Sequence, residues 1–310
     1  MIRRAYFLMQ RELWEHRALY LTPLVIAFIV VLGVATALVT GGGRIVGFEN
    51  MVAGMQLGGQ VGSVAGVTAL AVGPSTVFVV GLAFLVFFYS IDALYAERKD
   101  RSILFWKSLP LTDTEVVLSK LATAALVAPV ITFGFVAATH VVILCLSTVA
   151  VWVGGGSAWE LVWRPVPLLQ IWVLSVYLLI GAALWFLPYI AWGLFCSAFA
   201  KKNVFLWAVL PFVVTPLVER LLFDTNLFAK FALGRLSYMQ WIKASFSGEN
   251  LHIAFGDMPG RLTGDVNLLS LVDPGKFLST PGLWGGLVVA AGFTAGAIYF
   301  RRYRDETANG

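Results

Sequence analysis

Charge is what this chain has least of. Asp, Glu, Lys and Arg make up 13% of its 310 residues, against about a quarter in a soluble globular domain, and the mean hydropathy is +0.84. Such a chain is a multi-span membrane protein, and its spans leave no room for a separate water-soluble enzyme module. Cysteine is almost absent. Cys145 and Cys196 both fall in apolar segments with no CxxC spacing and no His neighbour, so they read as small buried hydrophobes and identify no redox compartment. Catalytic signatures are missing as well. There is no G-x-x-x-x-G-K-[ST] loop: Pro274-Gly275-Lys276-Phe277 lacks the earlier glycine and the hydroxyl. There is also no HExxH, no G-x-S-x-G and no paired acidic cluster in the apolar runs. The chain therefore has no motif for binding or hydrolysing ATP, and no cofactor or metal of its own is expected. The net charge of +5 comes from Lys and Arg flanking the spans and does not call for nucleic acid.

What is abundant is apolar sequence with helical length. The fold class is all-α, with six spans at 19–39, 75–95, 116–153, 168–200, 204–222 and 283–300, each able to cover the ~30 Å hydrocarbon core. The third and fourth exceed that need and must tilt, kink at Pro129 and Pro188, or project. Residues 1–17 place Ile2, Tyr6, Met9 and Leu13 three and four apart, with Arg3, Arg4, Arg11, Glu15 and Arg17 on the other side. That pattern predicts an interfacial helix and no cleavable signal peptide.

Two outer regions are expected, 40–74 and 223–280. In the first, Gly54, Gly58, Gly62 and Gly66 recur every four residues. On a helix they would allow close packing against a span or a second subunit, and the alternative is a loop. In the second, Phe228, Phe231, Met239, Trp241 and Phe246 alternate with Lys230, Arg235 and Lys243, which predicts amphipathic helices resting on the outer membrane face, followed by loop from Gly256 to Pro281. Pro211 and Pro216 lie inside the fifth span, where each removes a backbone donor and should break the helix. That makes this span a candidate for lining a translocation route or for a plain kink. Asp92 and His140 lie within the spans and read as an interfacial anchor and a packed imidazole.

Fourteen Lys and Arg residues fall on one side of this topology: the N-terminus, the stretch near residue 100, the Lys201-Lys202 turn and the C-terminus. The short opposite loops have only Arg44 and Arg164. The positive-inside rule then puts both termini in the cytoplasm.

The densest charge lies between the second and third spans, at residues 96–115. Glu97 and Arg101 stand four apart in the favourable order. Ile103, Leu104, Phe105 and Trp106 form an apolar cluster, and Pro110 ends it. Thr112-Asp-Thr-Glu115 matches a capping box that starts the next helix. This stretch resembles the first coupling helix of type-2 ABC transporter permeases. The likeness rests on the charged run Glu97, Arg98, Lys99, Asp100, Arg101, the small Ser102, the apolar Ile103 to Trp106, then Lys107, Leu109-Pro110, and Lys120 ten residues on. Ser102-Ile103 stands where that pattern usually has Gly-Thr.

The resemblance implies the permease subunit of a bacterial ABC exporter in the cytoplasmic (inner) membrane, whose N-terminal helix precedes the first span. Its implied partners are a second permease copy, expected as a homodimer, membrane lipid, and two cytoplasmic ABC ATPase subunits that bind ATP and Mg and dock on the coupling helix. Phe105 and Trp106 would fill a groove on the ATPase while Glu97 to Arg101 orient it. The alternative is an ion-gradient-driven secondary transporter or channel working through His140 and Asp92. The aromatic outer region and the apolar route lean toward an amphiphilic substrate.

Overall fold

A computed structural model describes residues 2–40, 60–108, 110–153, 155–164, 166–246 and 268–303. The described part is mostly helical, and an isolated bridge joins Phe246 and Val272. In chain order the helices are α1 (Ile2–Glu15), α2 (Ala18–Thr40), α3 (Gln60–Lys99), α4 (Ser102–Ser108), α5 (Asp113–Ala122), α6 (Ala128–Val153), α7 (Leu168–Phe199), α8 (Val204–Phe223), α9 (Tyr238–Ser245), α10 (Pro274–Ser279) and α11 (Pro281–Tyr303). Six stretches are long and apolar enough to cross a membrane: Ala18–Thr36, Ser75–Lys99, Asp113–Val153, Leu168–Phe199, Val204–Phe223 and Pro281–Tyr303. They are called the first to sixth spans below.

α7 is the hub. It packs along α11 and α3, while α2 packs along α6. α3 and α7 approach closely at Gly193, where a Cβ would come within 2.6 Å of Ser90 Cβ. Nearby, the Ser197 hydroxyl accepts from the Leu94 and Tyr95 amides. The largest apolar core gathers at this end of the bundle, around Leu19, Leu94, Val117, Ala128, Leu194 and Ala297.

Several local features depart from what the sequence predicts. α3 runs unbroken from Gln60 through Gly73-Pro74, so Gly62 and Gly66 belong to the long helix of the second span; Gly54 and Gly58 lie outside the described residues. The third span contains a π turn at Thr123–Val127, in which the Ala128 amide reaches back to the Thr123 carbonyl. Such a turn absorbs the disruption at Pro129, whose missing N–H leaves a carbonyl one turn earlier without its usual donor.

α8 continues through Pro211 and Pro216, so the expected break does not occur. The carbonyls of Trp207 and Phe212 lose their usual donors, but the Trp192 indole donates to the adjacent Ala208 carbonyl at 3.0 Å and ties that turn to α7.

The excess length of the fourth span has a use. At 32 residues α7 is about 48 Å long, and the excursion after the fifth span folds back on it. Trp185, Trp241, Phe246, Phe277 and Leu283 form a second core there, backed by Leu174, Leu178 and Ala182. The aromatic residues of the excursion thus divide: Trp241 and Phe246 are buried against α7, while Phe231 is exposed. α10 falls where loop is expected, because Asp273 caps it through the Lys276 amide and Pro274 occupies its first turn. Residues 247–267 lie outside the described part.

Candidate functional site

The site is built from side chains on five helices that meet at one end of the bundle, with Lys120 at its centre. Lys120 lies on α5, one turn before the π turn, and is fully buried. α5 is fixed in place by the predicted capping box: the Thr112 hydroxyl accepts from the Glu115 amide and the Glu115 carboxylate accepts from the Thr112 amide. The Lys120 ammonium contacts Glu12 of α1 at 2.8 Å and Glu97 of α3 at 3.1 Å. Glu97 also accepts from Arg11 of α1 at 2.9 Å and from Arg301 of α11 at 2.6 Å. Arg301 reaches on to Asp113 at 3.1 Å. The Tyr89 hydroxyl donates to the second Glu12 oxygen at 2.7 Å.

Three cations and two carboxylates are therefore buried together, with Glu15 and Asp113 at the rim. An isolated charge taken out of water costs several kcal/mol, and here each charge is offset by opposite charge and by directed hydrogen bonds. Burial works against the charge on Arg11, but Glu15, Glu97 and Glu12 outweigh it and raise its pKa.

The coupling stretch hangs from this cluster. α3 ends at Lys99, and Arg101 takes a left-handed conformation with φ of 57°, uncommon for a non-glycine residue. That reverses the chain into α4. Ser102 steadies the turn by donating to the Glu97 carbonyl at 3.3 Å. Glu97 thus belongs to the second span and not to the coupling helix. The expected Glu97–Arg101 pair gives way to ion pairs with Arg11, Lys120 and Arg301, because the left-handed turn takes Arg101 out of register.

Arg98 also points inward, donating to the Ser197 and Ala200 carbonyls at the end of α7. Lys99, Asp100, Arg101 and Lys107 are exposed. On α4, Ile103 is buried while Leu104 and Phe105 stand 56% and 60% exposed. Trp106 is half-buried with the Arg11 guanidinium 3.3 Å above its ring centre, a cation–π contact that ties α4 to α1. Pro110 is exposed and Leu109 lies outside the described residues.

Sequence reasoning missed most of the cluster. Arg11 was assigned to the polar face of α1, yet Leu8, Arg11 and Glu12 face the bundle while Phe7 and Trp14 are exposed. Local spacing gives Glu12 and Tyr89 no role, Asp113 only a place in the capping box and Arg301 only a place in the basic flank. Glu12, Glu15 and His16 bring ligand atoms within 4.8 Å of one another, but Glu12 is engaged by Lys120 and Tyr89, and Glu15 by Arg11, so the group is poorly suited to a metal. Asp92 is exposed near the same end of α3, and His140 is buried in α6.

Residues 63–156 match the family model described as ABC-2 family transporter protein. Over that segment the chain is similar to the ABC-2 transporter family. The match takes in the whole second span, α4 and the whole third span, so the ABC-2 segment coincides with the helices that contribute Glu97 and Lys120. No curated protein and no solved structure gives a match to the chain. ABC-2 permeases are membrane components and not themselves catalytic.

Replacing Lys120 by Met strands the Glu12 carboxylate, and the expected cost is roughly 3–5 kcal/mol, read as a lower melting temperature in detergent. Adding Glu12→Gln should recover most of that loss, and no recovery would mean that the two groups are not coupled. His16 makes a separate prediction. Burial lowers its pKa, against an opposing pull from Glu12. The unfolded chain therefore takes up this proton more readily, and the stability associated with neutral His16 is lost as pH falls. Between about pH 7.5 and about pH 5.5 the wild type should lose more melting temperature than His16→Gln; parallel losses would contradict this assignment.

Proposed function

We propose that this chain is the permease subunit of an ABC exporter, forming the translocation pathway and driven by a separate cytoplasmic ATPase that docks on α4. The observation that carries the reading is the two-sidedness of α4. Ile103 is buried and Trp106 ties the helix to the charge cluster through Arg11, while Leu104 and Phe105 are exposed. An exposed aromatic on a short helix with a buried anchor suits a docking hot spot. Lys99, Asp100, Arg101 and Lys107 supply the accessible charge for orientation and association rate; Glu97 is engaged internally.

In this mechanism the ATPase pair binds ATP and Mg, closes, and pushes on α4. The cluster passes the push to α5 and hence the third span, to α11 through Arg301, and to α7 through Arg98. α1 lies in the headgroup layer with Phe7 and Trp14 toward lipid. The same end of the bundle holds the N-terminal helix, α4, the Lys201-Lys202 turn and the end of α11, and the positive-inside rule assigns it to the cytoplasm of a bacterial inner membrane. The first and fifth spans are the least buried, which supports pairing with a second copy of the permease. The aromatic excursion supports an amphiphilic substrate.

Phe105→Asp should leave membrane insertion and melting temperature unchanged while lowering transport-coupled ATP hydrolysis by roughly tenfold or more, measured with the cognate ATPase in proteoliposomes. Unchanged coupling would remove α4 as the docking helix.

A further inference from the structure

A groove of about 710 Å³ opens between the end of α7, the start of α8 and the end of α11. It falls within the roughly 300–1,000 Å³ range of small-molecule sites. One wall is aromatic: Phe199 meets Trp207 edge-on at 5.3 Å and Phe300 edge-on at 5.3 Å, and Tyr303 closes the side. At the mouth stand Lys201 and Lys202, both exposed. None of the lining residues is acidic.

The carbonyls at the end of α7, which would otherwise make this end electronegative, accept from Arg98 on the inner side. The beginning of the 20-residue α8 presents the positive end of its dipole nearby. An apolar aromatic shelf with two ammonium groups at its lip, at the end of three spans, has the chemistry of a phospholipid site: acyl chains along the rings, phosphate at the lysines.

We propose that this groove binds an anionic phospholipid of the adjacent leaflet, and that the lipid bridges the fourth, fifth and sixth spans beside the Arg301 end of the charge cluster. The site does not depend on which ATPase drives the permease.

The test is native mass spectrometry of the full-length protein in detergent with equal amounts of phosphatidylglycerol and phosphatidylcholine added. The wild type should retain phosphatidylglycerol preferentially. Lys201→Glu with Lys202→Glu should lower that preference by about tenfold or more, at an unchanged melting temperature because both side chains are exposed. Trp207→Ala should reduce retention of both lipids. Equal retention of the two lipids by the wild type, or preference that survives the double lysine change, would overturn the proposal. So would displacement of the lipid by inorganic phosphate alone, which would make this a free-anion site.

Discussion

The structure depends on one ammonium group. Lys120 sits without solvent contact between Glu12 and Glu97, and Arg11 and Arg301 complete the balance at Glu97. Apolar packing alone holds membrane helices loosely in relative position, because lipid tails are as apolar as the side chains they replace. A buried ion cluster is directional. It fixes which faces of α1, α3, α5 and α11 meet, and it stiffens the joint between an exposed lever and the spans behind it.

That joint accounts for features that look unrelated along the chain. The left-handed Arg101 turns the chain so that α4 leaves the end of α3 without carrying Glu97 with it. The capping box at Thr112 starts α5 in a register that brings Lys120 to the Glu12 carboxylate. The π turn after α5 lets the third span pass Pro129 and continue as α6. Arg98 joins the same joint to α7, which carries the excursion on its far half. A displacement of α4 is therefore resisted by four other helices at once, and it cannot be absorbed by a local shift in α4 alone.

Features written in local spacing were legible in the sequence. The six apolar runs, the capping box and the exposed Phe105 all follow from residues within a few positions of one another. The cluster was not legible in that way, because its partners are 86, 108 and 204 residues apart for Arg11–Glu97, Glu12–Lys120 and Glu97–Arg301. Glu97 read as a solvated coupling charge since its neighbours Lys99 to Arg101 are solvated, and Arg301 read only as a positive flank. Lys120 was placed in the motif by its spacing from Pro110, but nothing local names its counter-ions. The proline breaks expected in the fifth span do not occur, since α8 runs on through both residues; the bond that ties the neighbouring turn to α7, from Trp192 to the Ala208 carbonyl, is likewise not revealed by local spacing.

The central claim is that α4 and α1 move as one body because Trp106, Arg11, Glu97 and Lys120 lock them together. The most direct measurement is a spin-label distance between Ser108→Cys on α4 and Trp14→Cys on α1, both exposed, with Cys145, which is exposed and not buried as its apolar setting suggests, replaced by serine. It would be made on the permease with its ATPase, nucleotide-free and ATP-bound. The account predicts the same distance distribution in both states. A shifted distribution, or a second population on ATP binding, would contradict it.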